Sequence, residues 1–248
     1  MIEKTIRTFL LKTLGLEAYL SIVSDVYLRA TNAGLLKAKY PELFYLKKMV
    51  KEGWVCIDIG ANVGYYSTNI SRLCGKTGKV FAIEPVPLFA NVFKRNAHKF
   101  ALPNIQLHQV ALGAENKKIT MGTPIIDGVF RHGLTHVLAE KENGTGLETF
   151  EAEMKIPDEL FASITKLDFI KCDVEGYEVY LFPDLMNTIA KFKPLIQIEI
   201  SNGENRKAIL DLLSPLNYKP YGLKNDQLTL LTENECISYE QGDLYFKA

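Results

Sequence analysis

The feature that most constrains the fold is a short apolar run that passes directly into a glycine turn and then into a helical pattern. Residues 55–59 read Val-Cys-Ile-Asp-Ile, which is typical of a buried parallel strand. The turn Gly60-Ala-Asn-Val-Gly64 follows, and residues 65–73 have the periodicity of a helix. Glycine lets the chain turn sharply here and lets a ligand approach the backbone. In open α/β sheets, ligands bind at such turns beyond the strand ends.

The alternation of strand and helix continues along the chain. Apolar strands are predicted at 79–84, 104–110, 167–172 and 194–200, with helices at 85–100 and 206–213. Closing strands are predicted at 218–221 and 227–231, and residues 118–121 are expected to form a small hairpin arm. We therefore predict a doubly wound, mostly parallel α/β sheet. Residues 1–50 show only helical signals, broken at Pro41, so we expect an N-terminal helical extension (1–50) before the α/β domain (51–248).

Composition argues against some partners. The 29 basic and 29 acidic residues cancel to a formal charge of zero, whereas nucleic-acid binding depends on clustered Lys and Arg. No nucleic-acid partner is therefore expected. The four cysteines are scattered and include no CxxC pair, which favours core thiols in a reducing compartment over disulfides or a metal cluster. A cytoplasmic location is expected.

The N-terminal helices have two interpretations. Ile2, Ile6, Phe9 and Leu10 recur at helical spacing. The simpler hypothesis is a helix packed on the domain. The alternative is a helix that lies on a membrane or contacts a lipid-linked substrate. Charged residues interrupt the apolar stretches, so neither a secretory signal nor a membrane span is expected. A homo-oligomer is compatible with either interpretation.

The glycine turn and the strand after it predict the kind of ligand. Glu84 stands twenty residues after Gly64, at the end of the next predicted strand, where a carboxylate can accept hydrogen bonds from both ribose hydroxyls of an adenosine. Dinucleotide sites have G-x-G-x-x-G for a pyrophosphate, but here Asn62 stands between Gly60 and Gly64. Asp58 would repel a pyrophosphate and suits the cationic amino end of a methionine moiety. We predict S-adenosylmethionine as the cofactor, bound by these five residues.

The end of the third predicted strand supplies a further candidate contact. Residues 109–113 read Gln-Val-Ala-Leu-Gly, and the equivalent strand end commonly faces the adenine. Val110 and Ala111 are therefore candidates for the adenine pocket. The alternative is that they complete the core face of the strand.

A second cluster of carboxylates follows the fourth predicted strand. Residues 168–178 read Asp-Phe-Ile-Lys-Cys-Asp-Val-Glu-Gly-Tyr-Glu. A buried strand here ends in Asp173 and Glu175, followed by a glycine turn and a helix. Because ligands bind at the carboxyl edge of an open α/β sheet, both side chains are expected beside the cofactor.

Taken in order, these motifs resemble those of the FkbM family of methyltransferases. The motifs are Asp58-Ile-Gly-Ala-Asn-Val-Gly64, Ala82-Ile-Glu-Pro85, Val110-Ala-Leu-Gly113 and the segment 168–178, and the resemblance covers roughly residues 53–202. It implies a class I methyltransferase (Rossmann-like) fold with a doubly wound seven-stranded sheet. It also implies methylation of a hydroxyl on a small molecule, a sugar or glycan or another secondary metabolite. Residues 122–150 have no matching pattern and are interpreted as a long functional loop that selects the substrate.

Methyl transfer to oxygen needs in-line positioning and removal of a proton. Asp173 is the first candidate, as a base, as a cofactor contact or as a ligand of Mg²⁺. Glu175 and Glu199 can complete an oxygen-rich metal site, although strand-end carboxylates equally often orient substrate hydroxyls. Glu175 and His136, a loop histidine, are also catalytic candidates; the alternative for His136 is an ordinary loop residue.

Two other functions stay open from the sequence. One is a methyltransferase that acts on nitrogen or on a protein side chain. The other is a non-catalytic cofactor-binding module within an assembly. The carboxylates at both strand ends favour an active enzyme.

Overall fold

A mixed sheet of eight strands organises the chain around the predicted glycine turn. The structure is a computed structural model that describes residues 13–126, 129–130, 136–137 and 146–248, with residues 125–126, 129–130 and 136–137 described by their backbone alone. The strands are β1 (Val55–Ile59), β2 (Lys79–Ile83), β3 (Ile105–His108), β4 (Ala111–Leu112), β5 (Lys117–Ile126), β6 (Val129–Phe130), β7 (His136–Val137), β8 (Leu147–Lys155), β9 (Phe169–Cys172), β10 (Leu195–Ile198), β11 (Lys219–Lys224), β12 (Gln227–Leu230) and β13 (Leu244–Lys247).

Helices connect the strands of the main sheet and cover its faces. They are α1 (Leu16–Asn32), α2 (Pro41–Met49), α3 (Tyr65–Cys74), α4 (Pro87–Phe100), α5 (Pro157–Leu160), α6 (Glu178–Leu181), α7 (Met186–Phe192), α8 (Gly203–Leu213) and α9 (Glu233–Ile237), with short 3₁₀ turns at Phe182–Leu185 and Ser214–Leu216. Prolines stand in the first turn of α2, α4 and α5. Backbone N–H groups in the first turn have no acceptor within the helix, so the N–H that proline lacks costs no helical hydrogen bond there.

The strand order of the main sheet is β12-β11-β13-β10-β9-β1-β2-β3. β3, β2, β1, β9 and β10 run parallel, and β13 lies antiparallel between β10 and β11. The predicted doubly wound, mostly parallel sheet is confirmed. β11 and β12 are the predicted closing strands, and β13 is an eighth strand that was not predicted. The order reverses at the β1–β9 pair, and the crevice outside such a reversal is where open α/β sheets bind ligands.

The strands at the centre of the sheet are buried on both faces. In β9, Ile170 and Cys172 pack into one core cluster, while Phe169 packs into a second cluster on the other face. Alternate side chains of a strand point to opposite faces, so an uninterrupted apolar run is required there. The second cluster also contains Leu43 and Leu46 of α2. This N-terminal helix therefore packs into the core beneath the sheet.

A small second sheet replaces part of the predicted loop. β5 and β8 pair antiparallel along their length, so the expected hairpin arm at 118–121 is longer than predicted. The loop prediction for 122–150 is wrong at both ends, because residues 122–126 and 147–155 are strands. Inward-facing Phe150, Ala152 and Met154 of β8 pack against Ile119 and Met121 of β5, and this alternation was obscured by the glycines before it. Residues 127–128, 131–135 and 138–145 lie outside the described part of the chain.

The N-terminal helices are separated near Pro41, as predicted. α1 packs on α4, where Asn96 Nδ2 donates a hydrogen bond to Ser24 Oγ at 3.0 Å. The apolar pattern at Ile2, Ile6, Phe9 and Leu10 falls on residues 1–12, which lie outside the described residues. Among the helices that are described, none is long and apolar enough to cross a bilayer.

Candidate functional site

A cavity of about 300 Å³ lies beyond the carboxyl ends of β1, β2 and β9. Its amide and carboxylate side chains are those of Asn62, Glu84, Asp173 and Glu175, with the backbone of Gly60 and Gly176 beside them. The structure thus brings the two predicted motifs, residues 58–64 and 168–178, to the walls of one cavity. Their meeting follows from the parallel pairing of β1 with β9, which brings both strand ends to the same edge.

The glycine turn after β1 has a backbone that only a residue without a side chain can adopt easily. Gly60 has a φ of +79° and Gly64, at the start of α3, has a φ of +92°. A Cβ added at Gly60 would overlap the backbone carbonyl of Asp173. The turn after β1 therefore packs directly on the turn after β9. Gly64 stands outside the cavity lining and faces the ring of Phe93, 3.0 Å from an added Cβ.

Glu84 is the buried carboxylate of the cavity. It is 4% exposed, and its Oε2 and Oε1 accept backbone N–H bonds from Asn62 at 2.8 Å and Val86 at 2.9 Å. Burial raises the pKa of Glu84 to about 7, and the two backbone hydrogen bonds act in the opposite direction. Each carboxylate oxygen has a second lone pair. The predicted bidentate contact with ribose hydroxyls fits this geometry.

Asp58 occupies a different position from the one expected of a direct cofactor contact. It is 2% exposed and accepts a hydrogen bond from Ser67 Oγ of α3 at 2.5 Å. Burial raises the pKa of Asp58 to about 6. Asp58 stands beside the cavity and is not part of its lining. The hydrogen bond ties the end of β1 to α3, so the carboxylate supports the turn on which Asn62 and Gly60 lie.

The apolar wall of the cavity contains both residues predicted for the adenine pocket. Val110 and Ala111 line it at the start of β4, together with Phe89 of α4 and Met121 of β5. A flat apolar base needs such a wall, because ligand pockets are lined mainly by hydrophobic side chains with a few polar groups. The cavity's apolar wall and Glu84 together suit the adenosine part of S-adenosylmethionine.

The turn after β9 carries the second carboxylate motif. Glu175 and Gly176 both have positive φ, at +53° and +93°. Glu178 at the start of α6 accepts backbone N–H bonds from Val174 at 3.1 Å and Gly176 at 3.2 Å. The Glu178 carboxylate therefore fixes the shape of the turn that presents Asp173 and Glu175. A structural role of this kind for Glu178 is not evident from its position in the motif alone.

Lys171 and Asp243 are site residues that the sequence pattern does not reveal. The Nζ of Lys171 lies 3.4 Å from Asp243 Oδ2 and 3.7 Å from Asp173 Oδ2. Burial by itself lowers the pKa of the Lys171 ammonium, but the attraction of Asp243 and Asp173 raises it overall. Asp243 precedes β13, a strand that was not predicted. The insertion of β13 beside β10 brings the side chain of Asp243 within reach of Lys171 on β9.

The metal hypothesis is not supported by the arrangement of the carboxylates. Glu199 follows β10 and stands outside the cavity lining. Burial, followed by the nearby charges of Asp173 and Asp243, raises the pKa of Glu199 to about 7. Across the described residues, no group of three or more His, Cys, Asp or Glu side chains is arranged to hold a metal ion. Asp173, Glu175 and Glu199 therefore do not form a Mg²⁺ centre in this structure.

His136 is placed by its backbone only. It lies in β7, paired with Gly122 of β5. Its side chain is outside the described residues, so the prediction of a catalytic role stays a prediction.

The strand order with its reversal at β1–β9, the antiparallel β13 and the cavity at the reversal form the Rossmann-like arrangement expected of a class I methyltransferase. A comparison with known protein families identifies a family within this class. The methyltransferase FkbM domain matches residues 58–220, and the chain belongs to this family. The family predicted from the sequence is confirmed, and with it the class of S-adenosylmethionine-dependent methyltransferases.

Individual curated relatives match about a third of the chain. A probable cobalt-precorrin-6B C(15)-methyltransferase (decarboxylating) of Pyrobaculum aerophilum is 30% identical over 81 residues, which are 33% of this chain and 41% of that protein. A homologue with the same description from Sulfolobus acidocaldarius is 26% identical over 86 residues, 35% of this chain and 45% of that protein. The chain thus spans less than half the length of the curated relatives it matches.

The chain is also similar to a solved structure. The methyltransferase FkbM of Methylobacillus flagellatus superposes with a TM-score of 0.46 at 16% identity, covering 79% of this chain and 43% of that one.

Proposed function

We propose that the chain transfers a methyl group from S-adenosylmethionine to a hydroxyl group of a sugar, glycan or other secondary metabolite. One observation carries the proposal: Glu84, suited to the cofactor ribose, and Asp173, suited to an acceptor hydroxyl, line the same cavity. The family resemblance supports oxygen as the acceptor atom.

The charge of the cavity supports a cationic cofactor. Its charged lining residues are the acids Glu84, Asp173 and Glu175, and no basic side chain of the described residues lines it. S-Adenosylmethionine carries a positive sulfonium, which is attracted by carboxylates in a partly desolvated site. A pyrophosphate or another strongly anionic ligand would be repelled by the same lining.

Two tyrosines support a ring-shaped, hydroxylated acceptor. Tyr177 lines the cavity, and its ring centroid lies 5.3 Å from that of Tyr180. Tyr180 is 65% exposed, so an aromatic face continues from the cavity onto the surface. Aromatic faces carry negative potential and attract the C–H groups of a sugar ring, while the carboxylate of Glu175 can accept hydrogen bonds from hydroxyls.

The chemistry assigned to the chain is positioning and proton removal. S-Adenosylmethionine, held by Glu84 and the turn after β1, would supply an electrophilic methyl group on sulfur, with S-adenosylhomocysteine as the leaving group. Asp173 at the cavity wall can accept the proton that the hydroxyl loses. The turns that carry Gly60 and Asp173 are packed together, so cofactor and acceptor are held on one rigid edge, as in-line transfer requires.

The proposal is tested by binding and by transfer. S-Adenosylhomocysteine should bind in calorimetry, and radiolabelled methyl groups should pass from S-adenosylmethionine to a component of a cell extract. Asp173→Asn should lower the rate of transfer roughly 10²- to 10⁴-fold while nearly preserving S-adenosylhomocysteine binding. Asp211→Asn is the control, because Asp211 is an exposed carboxylate of α8 paired with Lys207 at 2.9 Å. If the wild-type chain does not bind either form of the cofactor, the proposal fails.

The identity of the methylated atom separates the remaining candidates. Transfer from ¹³C-labelled cofactor, followed by NMR of the product, distinguishes an O-methyl ether from a methyl group on nitrogen or carbon. An N-methyl product would favour a nitrogen- or protein-directed enzyme, and a C-methyl product would favour the chemistry named for the precorrin relatives. Cofactor binding without any product would favour a non-catalytic module.

We also propose a cytoplasmic location and a surface role for α1. The four cysteines are buried free thiols, which suits a reducing compartment. Val26 is 61% exposed and Ile22 is 47% exposed on α1, which supports contact with a membrane or a lipid-linked acceptor. Flotation with anionic and neutral vesicles tests the contact, with Val26→Ser as the variant expected to weaken it. Sedimentation of the purified chain tests for a homo-oligomer.

A further inference from the structure

A row of polar side chains crosses four neighbouring strands on one face of the main sheet. Strand pairing places Asp58 of β1 beside Lys171 of β9, Lys171 beside Gln197 of β10, and Gln197 beside Tyr245 of β13. All four residues are between 0% and 2% exposed. Burying polar groups costs free energy unless they are paired. A row of them at the ligand edge of the sheet therefore needs a reason beyond packing.

Lys171 is held from several directions within this row. Its ammonium lies 3.4 Å from Asp243 Oδ2, 3.7 Å from Asp173 Oδ2 and 4.9 Å from the ring centroid of Tyr66. Asp243 is itself held, because its Oδ2 accepts a hydrogen bond from Gln197 Nε2 at 2.7 Å. These contacts form a network of side chains, Gln197–Asp243–Lys171–Asp173. Its Gln197 end is anchored in the interior, and its Asp173 end reaches the cavity.

The three charged side chains of this network differ in how far they are exposed. The side chains of Lys171 and Asp243 are 2% and 8% exposed, whereas that of Asp173 is 34% exposed and lines the cavity. The Lys171 ammonium therefore lies between Asp243, a carboxylate in the interior, and Asp173, a carboxylate at the cavity. Asp243 balances the charge of Lys171, and Asp173 is the group that Lys171 can orient.

We propose that Lys171, anchored by Asp243, is a positioning residue that holds the Asp173 carboxylate towards the methyl acceptor. The inference rests on the proposed function, in which Asp173 contacts the acceptor hydroxyl. Asp173 leads into a turn with two residues at positive φ, Glu175 and Gly176, and Glu178 fixes only the backbone of that turn. The ion pair with Lys171 is what restrains the carboxylate itself. Displacing a reacting group by about 1 Å can slow transfer roughly 10²-fold.

A double-mutant cycle tests the inference. Lys171→Met, Asp173→Asn and the double variant are compared for kcat and KM, using the acceptor fraction isolated by methyl labelling, and for S-adenosylhomocysteine binding by calorimetry. Lys171→Met should lower kcat roughly 10- to 100-fold with unchanged S-adenosylhomocysteine affinity. In the Asp173→Asn background the same change should add little. A crystal structure of Lys171→Met should show the Asp173 carboxylate turned from its present position.

Two further variants keep the test decisive. Asp243→Asn retains Lys171 but removes its anchor, and should lower kcat less than Lys171→Met does; it answers the question if Lys171→Met does not fold. Lys166→Met is the matched control, because Lys166 pairs with Asp168 Oδ2 at 3.1 Å near the opposite end of β9. Its kcat should equal that of the wild-type chain.

The outcomes separate the inference from the function on which it rests. A folded Lys171→Met with wild-type kcat would overturn it, as would losses in the single variants that multiply in the double variant. A wild-type chain that neither binds S-adenosylhomocysteine nor transfers methyl groups would refute the proposed function instead. In that case the position of Asp173 in the Lys171→Met crystal structure still decides whether Lys171 holds it.

Discussion

The contact between the turns after β1 and β9 leads to a sharp prediction for Gly60→Ala. Gly60 has a φ of +79°, and Gly34 in the exposed segment after α1 has the same value. The two sites differ in their surroundings. A Cβ at Gly34 meets nothing within 4 Å, whereas a Cβ at Gly60 overlaps the Asp173 carbonyl and lies 2.9 Å from its carbon. The pair therefore separates backbone strain from collision.

The expected magnitudes follow from these two terms. A left-handed backbone costs an alanine about 1–2 kcal/mol, and this cost applies to both variants. Forcing the β9 turn to move adds about 1–3 kcal/mol at Gly60, by analogy with other overpacked sites. Gly60→Ala should thus lose about 2–5 kcal/mol, or about 4–20 °C in melting temperature, and Gly34→Ala no more than about 2 kcal/mol.

Denaturant unfolding measures the stability difference, and calorimetry with S-adenosylhomocysteine measures the functional one. Gly60→Ala should also weaken cofactor binding, because the displaced turn lines the cavity, while Gly34→Ala should bind normally. Equal losses of stability in the two variants would show that the turns are not in contact as described. Normal cofactor binding by a folded Gly60→Ala would refute the assignment of this turn to the cofactor.

Three further predictions concern ligands. Glu84→Gln should weaken S-adenosylhomocysteine binding about 10- to 100-fold in calorimetry, because two charged hydrogen bonds become neutral or repulsive; unchanged affinity would contradict the ribose contact. With the pKa of Glu84 raised to about 7 by burial, affinity should fall about tenfold from pH 8 to pH 6, since ribose hydroxyls bind the ionised form, and Glu84→Gln should lack this dependence. Tyr180→Ala should raise the acceptor KM and leave cofactor affinity unchanged; the reverse pattern would exclude an acceptor contact with the aromatic face of Tyr177 and Tyr180.

Much of the fold could be predicted because its signals are local. The apolar run of β1, the glycines after it and the helical pattern of α3 all lie within about twenty residues, and each reflects backbone geometry that neighbouring residues impose. The strand β8 and the C-terminal strand β13 were missed. Each is short or only half apolar, and its stability comes from partners far away in sequence.

Local patterns likewise predicted some residues of the candidate site and misplaced others. Glu84, Val110 and Asp173 were predicted from strand ends and all line the cavity. Asp58 follows the same kind of pattern, but its side chain meets Ser67 instead. Successive side chains of a strand point to opposite faces, and the choice between facing the cavity and facing α3 depends on the exact end of the strand, which periodicity alone does not define.

The sequence by itself determined the class of fold, the family and the edge of the sheet at which the cofactor is expected, because these depend on short motifs in a fixed order. Only the tertiary structure decided which carboxylates face the cavity, that three of them do not assemble into a metal centre, and that Lys171 stands between Asp173 and Asp243. The physical reason is strand order. β13 inserts beside β10 after the rest of the sheet has been specified along the chain, and it places Asp243 where no local pattern could indicate it.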